Sequence, residues 1–169
     1  MAKKKSLCFP LGLFVIIAWF WGSVTPAVAE TLKCKSETDH DVSYIEQLGD
    51  LYHGYFTRVG VVTCDNGETA KWWSYGNFAV TLEKGGFSQG YIIFTFKDFS
   101  NIVMRYKLPQ RPDPQGMVQW FYDYTAEIIK GDGRFEGIKG SVSVSGKQLL
   151  NPKKTAIQEM NITYTLPPK

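Results

Sequence analysis

The sequence predicts an all-β chain folded as an antiparallel barrel. Three observations carry that prediction. Apolar and polar residues alternate with period two in seven or eight segments, short Gly-rich turns separate the segments, and no sustained helical periodicity appears after residue 29. Sequential strands joined by tight turns favour an antiparallel barrel over a parallel α/β sheet, which needs crossover helices.

The chain opens with Met1-Ala2-Lys3-Lys4-Lys5, continues with an apolar run from Leu11 to Val24, and reaches Ala27-Val28-Ala29 before Glu30. A basic start, an apolar centre and small residues at a cut site are the pattern of a cleavable secretory signal. The expected organisation is therefore a signal peptide at 1–29, cleaved after Ala29, and one β-barrel domain at 30–169, secreted or periplasmic. The competing reading is a retained anchor. The run falls short of the roughly 20 residues a bilayer span requires, and Gly22 and Pro26 interrupt its end, so no span is expected after cleavage. Cleavage removes three of the 19 basic residues and none of the 16 acids, leaving 19 − 3 = 16 against 16 and a formal charge of zero. That balance leaves no electrostatic footprint for nucleic acid.

Glu30 to Asp41 is polar and is expected to be irregular, pinned by Cys34. Tyr52 to Cys64 alternates as one long strand, with Gly54 and Gly60 marking bends or bulges that curl a sheet. Cys34 and Cys64 are the two cysteines of the mature chain, and in an oxidising compartment such a pair bridges. Metal binding needs more ligands than the nearby His40 supplies, so neither a metal nor another cofactor is expected.

Asp65-Asn66-Gly67-Glu68 reads as a type I′ hairpin turn. Strands are then expected over Thr69 to Tyr75 and Asn77 to Glu83, a turn at Lys84-Gly85-Gly86, and a strand through Tyr91 to Phe96 that is apolar on both faces. Lys97 to Ser100 turns the chain into Ile102 to Leu108, and Pro109 to Gly116 is the one long loop. Met117 to Lys130, Ser141 to Leu149 and Ala156 to Leu166 complete the set.

Gly131-Asp132-Gly133-Arg134-Phe135-Glu136-Gly137-Ile138-Lys139-Gly140 reads as a tight corner between two strands, with Phe135 its one large apolar anchor. Gly131, Gly133 and Gly137 approach a nucleotide loop, but the spacing is one residue too long and a strand follows where a phosphate site needs a helix. The stretch resembles the G-T-G-x-F-x-G-x-x-G element of the allene oxide cyclase and dirigent barrel superfamily, and its G-T-G-R-F-E-G-I-K-G version in uncharacterised exported bacterial proteins. Asp132 stands where that element usually has Thr. The similarity is good over about residues 117–150 and only general, in strand count and spacing, over the rest of the mature chain. It implies a closed antiparallel eight-stranded barrel of the allene oxide cyclase, dirigent or calycin-like kind. The related plant families are oligomeric, which implies a homo-oligomer. The catalytic side chains of the plant cyclases have no matching positions, so their chemistry is not carried over.

A small closed barrel is filled by side chains or encloses one small ligand. On the long strand Trp120, Tyr122, Tyr124, Ala126 and Ile128 share one face, and Phe121, Asp123, Thr125 and Glu127 the other. The first face is core or, more sharply, a pocket whose phenol and indole tips orient a ligand, with Tyr91 and Trp73 as further lining candidates. Arg105 sits mid-strand; facing inward it would need Glu127, Asp123 or an anionic ligand, but its alternation with Met104 and Tyr106 favours solvent. Arg58 poses the same question with the same bias. His40 and His53 are the only histidines, no G-x-S-x-G elbow occurs, and Asn161-Ile162-Thr163 is an incidental sequon.

The expected function is binding of a small, mostly apolar molecule without intrinsic bond-making. Two alternatives are a cyclase or isomerase of the same fold, and a structural protein that oligomerises through an outer aromatic face including Phe121 and Phe96.

Overall fold

Eight antiparallel strands pair in chain order, and the last returns to the first, closing a barrel. In this computed structural model, which describes residues 28–81, 83–110, 118–149 and 155–168, they are β1 (Glu30–Leu48), β2 (Leu51–Cys64), β3 (Thr69–Thr81) and β4 (Gly85–Phe96), followed by β5 (Asn101–Gln110), β6 (Val118–Gly131), β7 (Lys139–Leu149) and β8 (Thr155–Thr165). The expected signal at 1–29 lies outside the described residues except for its last two positions, Val28 and Ala29. Most of the expected long loop, and the side chains of Trp120, Phe121 and Tyr122, also lie outside the described residues.

Eight strands are present, but they are not the eight expected. The segment from Glu30, expected to be irregular, is the first 19 residues of sheet and pairs with both β2 and β8. Its inward side chains are Cys34, Ser36 and Thr38, too small and polar to look like a core stripe. The two strands expected over Thr69 to Glu83 are one, because Gly76 continues the ladder at an inward position. The turn after β2 is not type I′. Gly67 has a φ of +82° while Asn66 stays at negative φ, and the Gly67 amide donates to the Cys64 carbonyl at 3.0 Å. This is a type I turn closed by a left-handed glycine.

Strict alternation points Val62, Trp72, Phe94, Ile102, Met104, Ile128, Val142, Met160 and Ile162 inward as a dry core. Phe96 belongs to this core at 4% exposure, which removes it from the outer face where an oligomer contact was expected. The Cys34–Cys64 disulfide joins residues directly opposite in the β1–β2 ladder. The glycine-rich corner plugs the same end of the barrel. Phe135 packs against Phe96 at 5.0 Å and edge-on to Tyr164, and Arg134 covers both the Phe96 and Phe135 rings. Gly133 adopts φ +59° against Ser100, and a Cβ there would lie 2.5 Å from the Ser100 hydroxyl. Asp132 accepts hydrogen bonds from the backbone and side-chain amides of Asn101, tying the corner to β5.

The opposite end is splayed. Pairing of β5 with β6 stops at Tyr106 and Ala126, and pairing of β8 with β1 stops at Ile157 and Glu37. Beyond these points β1 to β5 form one lobe and β6 to β8 another.

Candidate functional site

The polar part of the barrel interior gathers where the two seams stop. On β2, residues Phe56, Arg58, Gly60, Val62 and Cys64 share the inward face, so Arg58 points into the barrel and not to solvent as expected. β1 supplies its partner through a bulge. The register shifts between Thr38 and His40, inserting Asp39 and reversing which residues face inward. Asp41 thereby faces Arg58, and the guanidinium Nε donates to its Oδ2 at 2.9 Å. The two side chains are only 4% and 14% exposed, for Asp41 and Arg58 respectively. The guanidinium also lies over the Phe56 ring, 4.5 Å from its centroid.

Tyr106 of β5 and Tyr124 of β6 face this pair from across the interior, their rings 5.6 Å apart. Gly76 makes room for the Tyr106 hydroxyl: a Cβ there would lie 2.4 Å from that oxygen and 2.8 Å from the Phe56 ring. No hydrogen-bond partner closes on the hydroxyl among the described residues. Burial raises the Tyr106 pKa, opposed by the neighbouring Ser74 and Ser88 and by the charge of Arg58. The group is therefore a neutral phenol at physiological pH, able to donate a hydrogen bond. Ser36 and Gln158, both buried, extend the polar belt with a 3.5 Å contact. Toward the splayed end the lining turns apolar with Leu108, Val80 and Phe78.

The residues singled out from sequence divide between two places. Tyr124 faces inward beside Tyr106. Arg105 and Glu127 face outward, joined at 2.7 Å and 60% and 61% exposed, the orientation that alternation favours. Tyr91 stands outward beside Arg105 in the ladder, and Trp73 lies outward with its ring parallel to Tyr75. Arg105, Glu127 and Tyr91 line an outer trough of about 730 Å³. Asp41, Phe56, Ser74, Ser88 and Tyr106 were not foreseen as site residues. Arg58 itself was within reach, since it shares parity with Phe56, Val62 and Cys64. Asp41 was not, because the bulge that turns it inward leaves no mark in the sequence.

The arrangement supplies a fixed charge pair, a phenol donor and aromatic walls. Among the described residues no group of three or more His, Cys, Asp or Glu is placed to hold a metal ion, and no helix is long and apolar enough to cross a membrane.

No protein-family model and no curated protein matches the chain. Solved structures do. The pterocarpan synthase dirigent protein GePTS1 superposes with a TM-score of 0.52 at 13% identity, covering 88% of this chain and 98% of that one. The pterocarpan synthase dirigent protein PsPTS1 superposes with a TM-score of 0.57 at 10% identity, covering 84% and 97%. A conserved protein of unknown function from Rhodopseudomonas palustris gives a TM-score of 0.46 at 8% identity, covering 82% and 99%. The chain has the closed barrel fold of the dirigent proteins, and at these identities the likeness is one of fold.

Proposed function

We propose that this chain is an exported barrel that holds a small, mostly apolar molecule in its splayed end and carries out no bond-making of its own. The observation that carries the reading is the Asp41–Arg58 pair, buried beside Phe56 and the unpartnered Tyr106 hydroxyl where both seams stop pairing. A buried charge pair and an open phenol donor are costly to maintain in a core that only packs. They suit a polar head group entering from the splayed end while its apolar body rests on Leu108, Val80 and Phe78. The groups present support binding over bond-making. Both cysteines of the described chain are bridged, the phenol stays protonated, and neither histidine belongs to the interior cluster. The dirigent-like fold supports a binding role without naming the ligand.

The test is titration of the mature protein with 1-anilinonaphthalene-8-sulfonate, an apolar fluorophore with an anionic head. The reading predicts saturable binding of one probe per barrel, weakened about tenfold or more by Arg58→Met/Asp41→Leu. It predicts no change on Tyr91→Ala, which alters only the outside. Binding that is equally strong in the double variant would contradict an interior site.

A further inference from the structure

The outer face of β2 to β6 carries a second constellation that the interior site does not use. Tyr55, Asn77, Gln89 and Lys107 stand opposite one another on consecutive strands. One step along, Tyr75, Tyr91, Arg105 and Glu127 form a parallel row. All eight side chains are exposed. Between the rows lie Gly76 and Gly90, paired across the β3–β4 ladder at inward positions, so no side chain from either rises on this face, and the two rows border a trough of about 730 Å³. A second hollow of about 570 Å³ shares Asn77 and Gln89 with the first and continues over Tyr55 to Tyr44 and Glu46 on β1. Together they cross from β1 to β6, about 24 Å at the usual strand spacing.

We propose that this trough binds a linear saccharide chain. Sugar rings present a face of C–H groups that rests on an aromatic ring and an edge of paired hydroxyls that needs planar donors and acceptors. Tyr55, Tyr75 and Tyr91 are 61%, 42% and 48% exposed and supply the rings. The side-chain amides of Asn77 and Gln89, at the centre, make no hydrogen bond among the described residues and so offer both donors and acceptors. The Arg105–Glu127 pair supplies a fork of donors beside a carboxylate at one end. Extended shape selects a chain over a single sugar. A second copy of the protein fits less well, because the centre is amides and an ion pair, whereas interface cores are depleted in charge and the face is hollowed.

The experiment is native electrophoresis of the mature protein through gels cast with hydroxyethylcellulose, xylan, glycol chitosan or dextran. The proposal predicts retardation by at least one polymer, with the dissociation constant raised about tenfold or more in Tyr75→Ala/Tyr91→Ala and separately in Asn77→Ala/Gln89→Ala. Both are surface changes and are expected to leave the melting temperature within the range of wild type. Retardation by none of the four polymers overturns the proposal, as does retardation that survives in both variants. Sedimentation supplies a further refutation: a wild-type oligomer that Tyr75→Ala/Tyr91→Ala splits into monomers would make this face a subunit contact.

Discussion

Replacing Arg58 with Met removes the cation from a place where Asp41 cannot regain water. The Asp41 side chain is 4% exposed and its Oδ2 accepts the Arg58 Nε at 2.9 Å. Removing one partner of a buried pair costs about 3–5 kcal/mol, because the other charge stays desolvated. Losing the guanidinium over Phe56 adds about 0.5–2 kcal/mol. Met keeps most of the volume of the arginine stem, so the cavity contribution is small. The expected loss is therefore about 5 kcal/mol, read as a lower urea midpoint at unchanged slope. Arg58→Met/Asp41→Leu leaves no charge buried and should recover most of it. Arg105→Met, which breaks an exposed pair of similar length, serves as the internal comparison and should leave the urea midpoint close to that of wild type. If Arg58→Met and Arg105→Met cost the same, the interior placement of the Asp41–Arg58 pair is wrong.

Phe135→Ala should destabilise the barrel by about 3–5 kcal/mol, since it empties the plug between Phe96 and Tyr164; an unchanged denaturation midpoint would remove Phe135 from that role. The Cys34–Cys64 bond spans a sequence separation of 30, and Cys64→Ser should lower stability by about 3–4 kcal/mol. Wild-type protein melting identically with and without reductant would argue against the bridge. Tyr164 is pushed from 10.0 to about 12, first by burial and then by its hydrogen bond to Glu30. Because the folded value lies above the unfolded one, this contribution is fully present below pH 10 and is lost as pH rises towards 12. Tyr164→Phe should flatten the alkaline decline in stability, and an identical decline in both proteins would contradict the shift.

The sequence made the barrel class legible because the core strands alternate cleanly, as in Ile102, Met104, Tyr106 and Leu108. It hid β1 for a physical reason. That strand crosses the polar part of the interior, and its inward residues are Ser36, Thr38 and, after the bulge, Asp41, so hydrophobic periodicity has nothing to mark. β3 looked interrupted because Gly76 occupies an inward position that Phe56 and Tyr106 fill from neighbouring strands. In both cases one strand's side-chain pattern is completed by another strand, which a reading along the chain does not see. The candidate site suffered most from this. Arg105, Glu127 and Tyr91, on the outer face, stood out by residue type, whereas Asp41 of the interior site depends on a one-residue register shift.

A binding site in the splayed end of the barrel should retain its ligand through gentle purification. Native mass spectrometry of the Glu30–Lys169 chain, purified without denaturation, tests it. A ligand in the splayed end would give extra mass that leaves on denaturation and is missing from Arg58→Met/Asp41→Leu purified in the same way. A bare protein mass in the wild type, at whatever oligomeric state, would rule out a held ligand and leave the interior as packing alone.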